Sequence, residues 1–133
     1  MKAATTDAST VHVIDDHGPS RKRLRAVLEQ QGYIVVASGA AAAARRLLTV
    51  EAPDLVLVDL RTDAQTPGEN GYELLAWMRS QPALAQVPVI CVTAPVSSAE
   101  GERVRAAGFA QFVAKPITPP RRLLDAVRQA LMR

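Results

Sequence analysis

DLVLVD, residues 54–59, runs Asp54-Leu55-Val56-Leu57-Val58-Asp59, four consecutive apolar residues between two aspartates. A strand with one face in water alternates apolar and polar residues. An unbroken run such as this, set off by Pro53, belongs to a strand covered on both faces. The segments on either side repeat the theme. Thr10-Val11-His12-Val13-Ile14 reads as a short buried strand, Tyr33-Ile34-Val35-Val36 as a β-branched second, Val87 to Thr93 as a fourth and Phe109 to Ala114 as a fifth. Helical patterns separate them. Gly18-Pro19 opens the first helix, with Leu24, Val27 and Leu28 as its apolar stripe and Gly32 as its stop. Ala40 to Val50 is an alanine-rich helix expected to turn Leu47 and Leu48 inward. A third helix begins near Gly71 and carries Leu74, Leu75 and Met78, with Trp77 as packing or partial cover. Ser97 to Ala107 is polar with few apolar anchors. The last helix follows Pro119-Pro120 and places Leu123, Leu124, Val127 and Leu131 on its inner stripe. Five strands alternating with five helices imply a parallel sheet between two helical layers, an α/β/α sandwich.

Composition agrees with one such domain. A chain of 133 residues can bury a real core without disulfides or a structural metal, and 48% apolar with 22% charged residues is ordinary globular usage. The aromatic share of 4% leaves the core to Val, Leu, Ile and Ala. The single cysteine, Cys91, sits in an apolar strand and reads as a small buried hydrophobe. Residues 1–9 read as an N-terminal extension and 10–133 as the domain. The first residues, MKAATTDAST, lack the apolar core of a secretion signal, and no apolar stretch is long enough to span a bilayer, so the expectation is a cytoplasmic protein with no membrane partner. A net charge of +3 invites a nucleic-acid reading, but the arginines fall in small clusters on separate helices without interleaved aromatics. Ordinary solvated helix faces account for them, and direct nucleic-acid binding is not expected.

In open parallel sheets the functional crevice lies at the carboxyl ends of the strands. Those ends carry Asp15-Asp16 after the first strand, Asp59 after the third, Thr93 after the fourth and Lys115 after the fifth. Three crowded carboxylates repel unless a cation joins them. Mg²⁺ suits them best, since it binds through one or two carboxylates plus phosphate oxygens and keeps several waters. A carboxylate beside such an ion can act as a nucleophile toward phosphorus while a nearby ammonium, Lys115, neutralises the equatorial oxygens, and the Thr93 hydroxyl can bond an oxygen of the product. Singly, each residue has a plain structural reading: a helix cap for the Asp pair, a strand residue for Thr93, a loop start for Asp59, a surface dipeptide for Lys115-Pro116. His17, beside the acidic pair, reads as a solvated turn residue rather than a ligand.

The stretches VIDD at 13–16, LVLVDLR at 55–61, PVICVTA at 88–94 and FVAKPI at 112–117 resemble the four signatures of response regulator receiver domains, and the likeness runs from about Thr10 to Arg133. The resemblance implies a flavodoxin-like fold with strand order 2-1-3-4-5. It implies that Asp59 takes a phosphoryl group from a phosphohistidine, and that Asp16 and Asp59 bind Mg²⁺ directly and Asp15 through water, with the backbone carbonyl of Arg61 as a further ligand. By the same comparison Lys115 contacts the phosphate, the Lys115–Pro116 bond is cis, and Thr93 and Phe112 form a coupled switch pair. Phe112, lacking a hydroxyl, is equally explicable as core. The implied partners are a sensor histidine kinase or histidine phosphotransfer protein docking on the first helix, and a downstream protein or C-terminal output domain read by helix 4, strand 5 and helix 5, a surface through which a homodimer also forms in the resemblance.

Departures from the pattern are local. Thr62-Asp63-Ala64-Gln65 looks like an insertion ahead of Thr66-Pro67-Gly68-Glu69-Asn70-Gly71, read as a tolerated surface loop, although Asp63 could add charge near the metal. Arg61 projecting over the phosphoryl group and Pro95 offering no hydrogen bond to water lead to an expectation of slow self-dephosphorylation. No second substrate is turned over, so the protein is expected not to be an enzyme. One rival reading is a pseudo-receiver, an interaction module working without phosphate because the insertion remakes the pocket; the five retained side chains argue against it. Another is a small phosphatase with an aspartyl nucleophile, in which a second Asp two residues on serves as acid; Arg61 stands there instead. The output is open between a stand-alone regulator and the front of a longer protein.

Overall fold

In a computed structural model, residues 9–60, 70–94 and 97–132 are described. Ten elements alternate along them: β1 (Thr10–Ile14), α1 (Gly18–Gln30), β2 (Ile34–Ser38), α2 (Ala41–Val50), β3 (Leu55–Val58), α3 (Gly71–Arg79), β4 (Val89–Thr93), α4 (Ser98–Ala107), β5 (Gln111–Ala114) and α5 (Arg121–Leu131). The five strands form one sheet in the order β2-β1-β3-β4-β5, every pair parallel. This is the 2-1-3-4-5 order of the flavodoxin-like fold.

The apolar run of β3 explains itself once the pleat is followed. Leu55 and Leu57 enter a core shared with α1 and α5, through Leu24, Leu28, Leu123 and Val127. Val56 and Val58 enter the opposite core, with Leu48 of α2, Leu74, Leu75 and Met78 of α3 and Val104 of α4. Successive residues point to opposite faces, so a strand at the centre of a three-layer sandwich has no position left for water. All four are at most 1% exposed.

Helix ends follow local chemistry. Pro19 stands in the first turn of α1, and Gly32 beyond its end has φ 93°, which suits a residue without Cβ. Asn70 caps α3 in a reciprocal box with Glu73, each side chain bonding the other's backbone N–H at 3.0 and 3.2 Å. The α2 stripe corrects the sequence reading: Ala41, Ala44 and Leu48 are buried, whereas Leu47 is 44% exposed. Spacings of three and four residues keep Ala41, Ala44 and Leu48 on one face, and Leu47 falls about 100° away from Leu48. Trp77 is half-buried under the Arg45 guanidinium, 5.4 Å from its centroid. Among the described residues no helix is long and apolar enough to cross a membrane.

Candidate functional site

Parallel pairing brings the carboxyl ends of β1, β3, β4 and β5 to one edge of the sheet. The Asp59 N–H donates to the Ile14 carbonyl at 3.0 Å, which sets the end of β3 beside the end of β1, and the Lys115 N–H donates to the Thr93 carbonyl at 2.7 Å, which does the same for β5 and β4. The side chains leaving these ends meet. Lys115 Nζ lies 2.8 Å from Asp59 Oδ2 and 2.8 Å from Asp15 Oδ2, and Thr93 Oγ1 donates to Asp59 Oδ1 at 3.1 Å. Asp59 therefore has both carboxylate oxygens occupied, one by an ammonium and one by a hydroxyl. Burial disfavours the Lys115 ammonium, but hydrogen bonds to Asp15 and Asp59 and the charge of both carboxylates outweigh it and raise its pKa above the ordinary lysine value. It remains a cation throughout the physiological range.

Asp15 is buried and more heavily tied than its sequence context suggests. Its Oδ1 accepts from the His17 N–H at 2.9 Å, and its Oδ2 accepts from Ser20 Oγ at 2.7 Å as well as from Lys115. Its carbonyl accepts from Arg21 at 2.8 Å. His17, read from sequence only as a solvated turn residue, is exposed and also caps α1, with Nδ1 accepting from the Ser20 N–H at 3.2 Å. The strand-end pattern marks neither Ser20 nor Arg21 for the site. The signal available was their place in the first turn of a helix that starts directly after the acidic pair.

Asp16 is exposed, next to this anchored carboxylate. Phe112 is half-buried against the core on the α2–α4 side, one residue before Val113 enters the opposite core. The Lys115–Pro116 peptide is cis, as is Thr118–Pro119. Arg61, Asp63, the rest of 61–69, Pro95 and the extension through residue 8 lie outside the described residues.

Among the described residues no group of three or more carboxylate, imidazole or thiol side chains is arranged as a ready metal cluster. The donors present at this edge are hard oxygens, a paired carboxylate on Asp59 and an exposed one on Asp16, the few-carboxylate set that suits Mg²⁺ rather than a softer ion or a fully caged one.

Comparison with known proteins comes down on one side. Residues 11–128 match the family model described as the response regulator receiver domain. The polar-differentiation response regulator DivK of Brucella ovis is 31% identical over 112 residues, covering 84% of this chain and 88% of that protein. Among solved structures, the signal receiver domain of a signal transduction histidine kinase from Syntrophus aciditrophicus superposes with a TM-score of 0.81 at 27% identity, over 94% of this chain and 91% of its own. The chemotaxis protein CheY4 of Vibrio cholerae shares the fold, with a TM-score of 0.82 at 21% identity over 92% of this chain and 98% of its own.

Proposed function

This chain belongs to the response regulator receiver-domain family of two-component signalling, and on that premise we propose that it is a phosphoacceptor receiver whose acceptor is Asp59. The observation that carries the reading is the Lys115 ammonium shared at 2.8 Å between Asp59 and Asp15, with the Thr93 hydroxyl on the other oxygen of Asp59. A carboxylate so placed can attack the phosphorus of a phosphohistidine on a sensor kinase or phosphotransfer protein. A P–O bond to Asp59 forms, the P–N bond breaks, and the imidazole nitrogen leaves with the electron pair. Asp59 and the exposed Asp16 would hold Mg²⁺, with Asp15 behind them and the Arg61 carbonyl as a further donor. When bound, the ion supplies positive charge to the phosphoryl oxygens.

Each side chain has a defined task in that scheme. Lys115 leaves its carboxylate partner for a phosphoryl oxygen, keeping charge neutralised before and after transfer. Asp15, fixed by Ser20 and the His17 amide, keeps the lysine at the edge of the crevice. Thr93 exchanges the Asp59 oxygen for a phosphoryl oxygen, and that movement, followed by Phe112, biases the surface of α4, β5 and α5 toward a partner, an output domain or a second copy. The only chemistry is on the protein's own aspartate. Incubation with acetyl phosphate and Mg²⁺ tests the proposal: intact mass should rise by one phosphoryl group in the wild type and not in Asp59→Asn. An unmodified wild type would return the protein to the phosphate-independent pseudo-receiver reading.

A further inference from the structure

Helix α4 is held to the rest of the protein by unusually little. Val104 is its one buried residue, and its first turn is capped by Ser97 Oγ on the Glu100 N–H. The strongest polar tie comes from α3. Tyr72 Oη donates to Glu100 Oε2 at 2.5 Å, Arg103 lies 4.9 Å above the Tyr72 ring and 3.6 Å from Glu100, and the same ring packs edge-on against Phe109 with centroids 5.8 Å apart. Phenol, carboxylate and guanidinium thus close a small circuit across the α3–α4 contact. Burial first, and then the hydrogen bond to Glu100, pushes the Tyr72 phenol up to about 12, so the donor keeps its proton at any physiological pH.

The other end of this circuit starts at the acceptor. Tyr72 follows Gly71, whose N–H donates to the Leu60 carbonyl at 3.1 Å. A Cβ on Gly71 would lie 3.1 Å from Leu60 Cα, 3.4 Å from the Asp59 carbonyl oxygen and 3.5 Å from Leu60 Cδ2, so the start of α3 is packed closely onto the backbone that follows β3. A close-packed contact of this kind passes a small displacement on rather than absorbing it. Phe112, packed against the same core as Val104, has no hydroxyl with which to hold the helix.

We propose that Tyr72, Glu100 and Arg103 form a latch that holds α4 against α3 in the unphosphorylated protein and opens on modification of Asp59, a coupling route separate from Thr93. This rests on the phosphoacceptor reading of Asp59. A contact present only in the resting conformation opposes any ligand of the other conformation, so deleting it must tighten that ligand by the factor the contact was worth.

Beryllofluoride with Mg²⁺, a phosphoryl mimic that adds to an acceptor carboxylate, is the probe. We expect Tyr72→Phe and Glu100→Ala each to bind it about five-fold more tightly than the wild type, the factor of one partly exposed hydrogen bond to a charged acceptor. The double variant should be no tighter than either single one, and amide exchange across Ser98–Ala107 in free Tyr72→Phe should approach that of the liganded wild type. Wild-type affinity in both folded single variants would overturn the latch, as would faster exchange with no gain in affinity, the mark of a merely structural contact. If the wild type takes up no beryllofluoride and Asp59→Asn behaves identically, the Asp59 reading fails and the latch with it.

Discussion

His12 should make this protein acid-sensitive in a way that one substitution removes. Its ring is 2% exposed in the middle of β1, Nε2 lies 2.7 Å from Ser38 Oγ on β2, and burial lowers its pKa from 6.5 to about 4. The folded state binds a proton less readily than the unfolded chain, so the neutral ring contributes its full share above pH 6.5 and that share is lost as pH falls from there toward 4. With those two values the loss between pH 7 and pH 5 integrates to about 2 kcal/mol, near one proton's worth of slope below the unfolded pKa. His12→Gln keeps an amide within reach of Ser38 and cannot titrate. It should cost about 1 kcal/mol at pH 7, and its disadvantage should vanish or reverse by pH 5. Urea unfolding followed by far-ultraviolet circular dichroism at several pH values measures both proteins, and carboxylates common to the two cancel in the difference. Parallel stability curves for the two proteins, or His12 ring protons that titrate in nuclear magnetic resonance at the ordinary value of 6.5, would refute the argument.

Three further outcomes follow from packing and charge. Lys115→Met leaves Asp15 and Asp59 facing each other without their shared cation, and should destabilise the fold by about 1–3 kcal/mol in denaturant titration while abolishing phosphoryl uptake from acetyl phosphate. Gly71→Ala places a methyl 3.1 Å from Leu60 Cα, and should cost about 1–3 kcal/mol, read as a lower denaturation midpoint with an unchanged m-value. Asn70→Ala breaks the capping box at the start of α3 and should lower stability by about 1 kcal/mol, with faster amide exchange confined to the first turn of that helix.

The layered fold was legible because it is written in a local quantity, the apolar run. Val56 and Leu57 both being hydrophobic can only mean two cores, and the structure assigns them one each. Strand order is another matter: no residue in β1 announces that it lies between β2 and β3, and that came with the family resemblance. On α2 hydrophobicity alone points to Leu47, whereas the helical angle decides which residue is inside, so Ala44 is buried and Leu47 is not. At the crevice, Asp15, Asp59, Thr93 and Lys115 could be singled out because each ends a strand and parallel strands deliver their ends to one edge. The supporting contacts could not. Ser20 on Asp15 depends on the turn geometry of α1, and Tyr72 on Glu100 joins residues of two helices whose mutual angle is set by packing, not by pattern.

The hydrogen bond from Gly71 to the Leu60 carbonyl has a practical corollary for engineering. Leu60 is anchored in one core and Asn70 is tied into the α3 cap, and the 3.1 Å bond from the Gly71 N–H to the Leu60 carbonyl joins their elements, so the two act as gateposts. What is threaded between such posts is felt by the remainder only as ring-closure entropy, about 0.6 kcal/mol for each doubling of length. A reporter peptide or a recognition tag spliced in there should leave the scaffold's melting behaviour nearly untouched, which makes that junction a place for installing sensors.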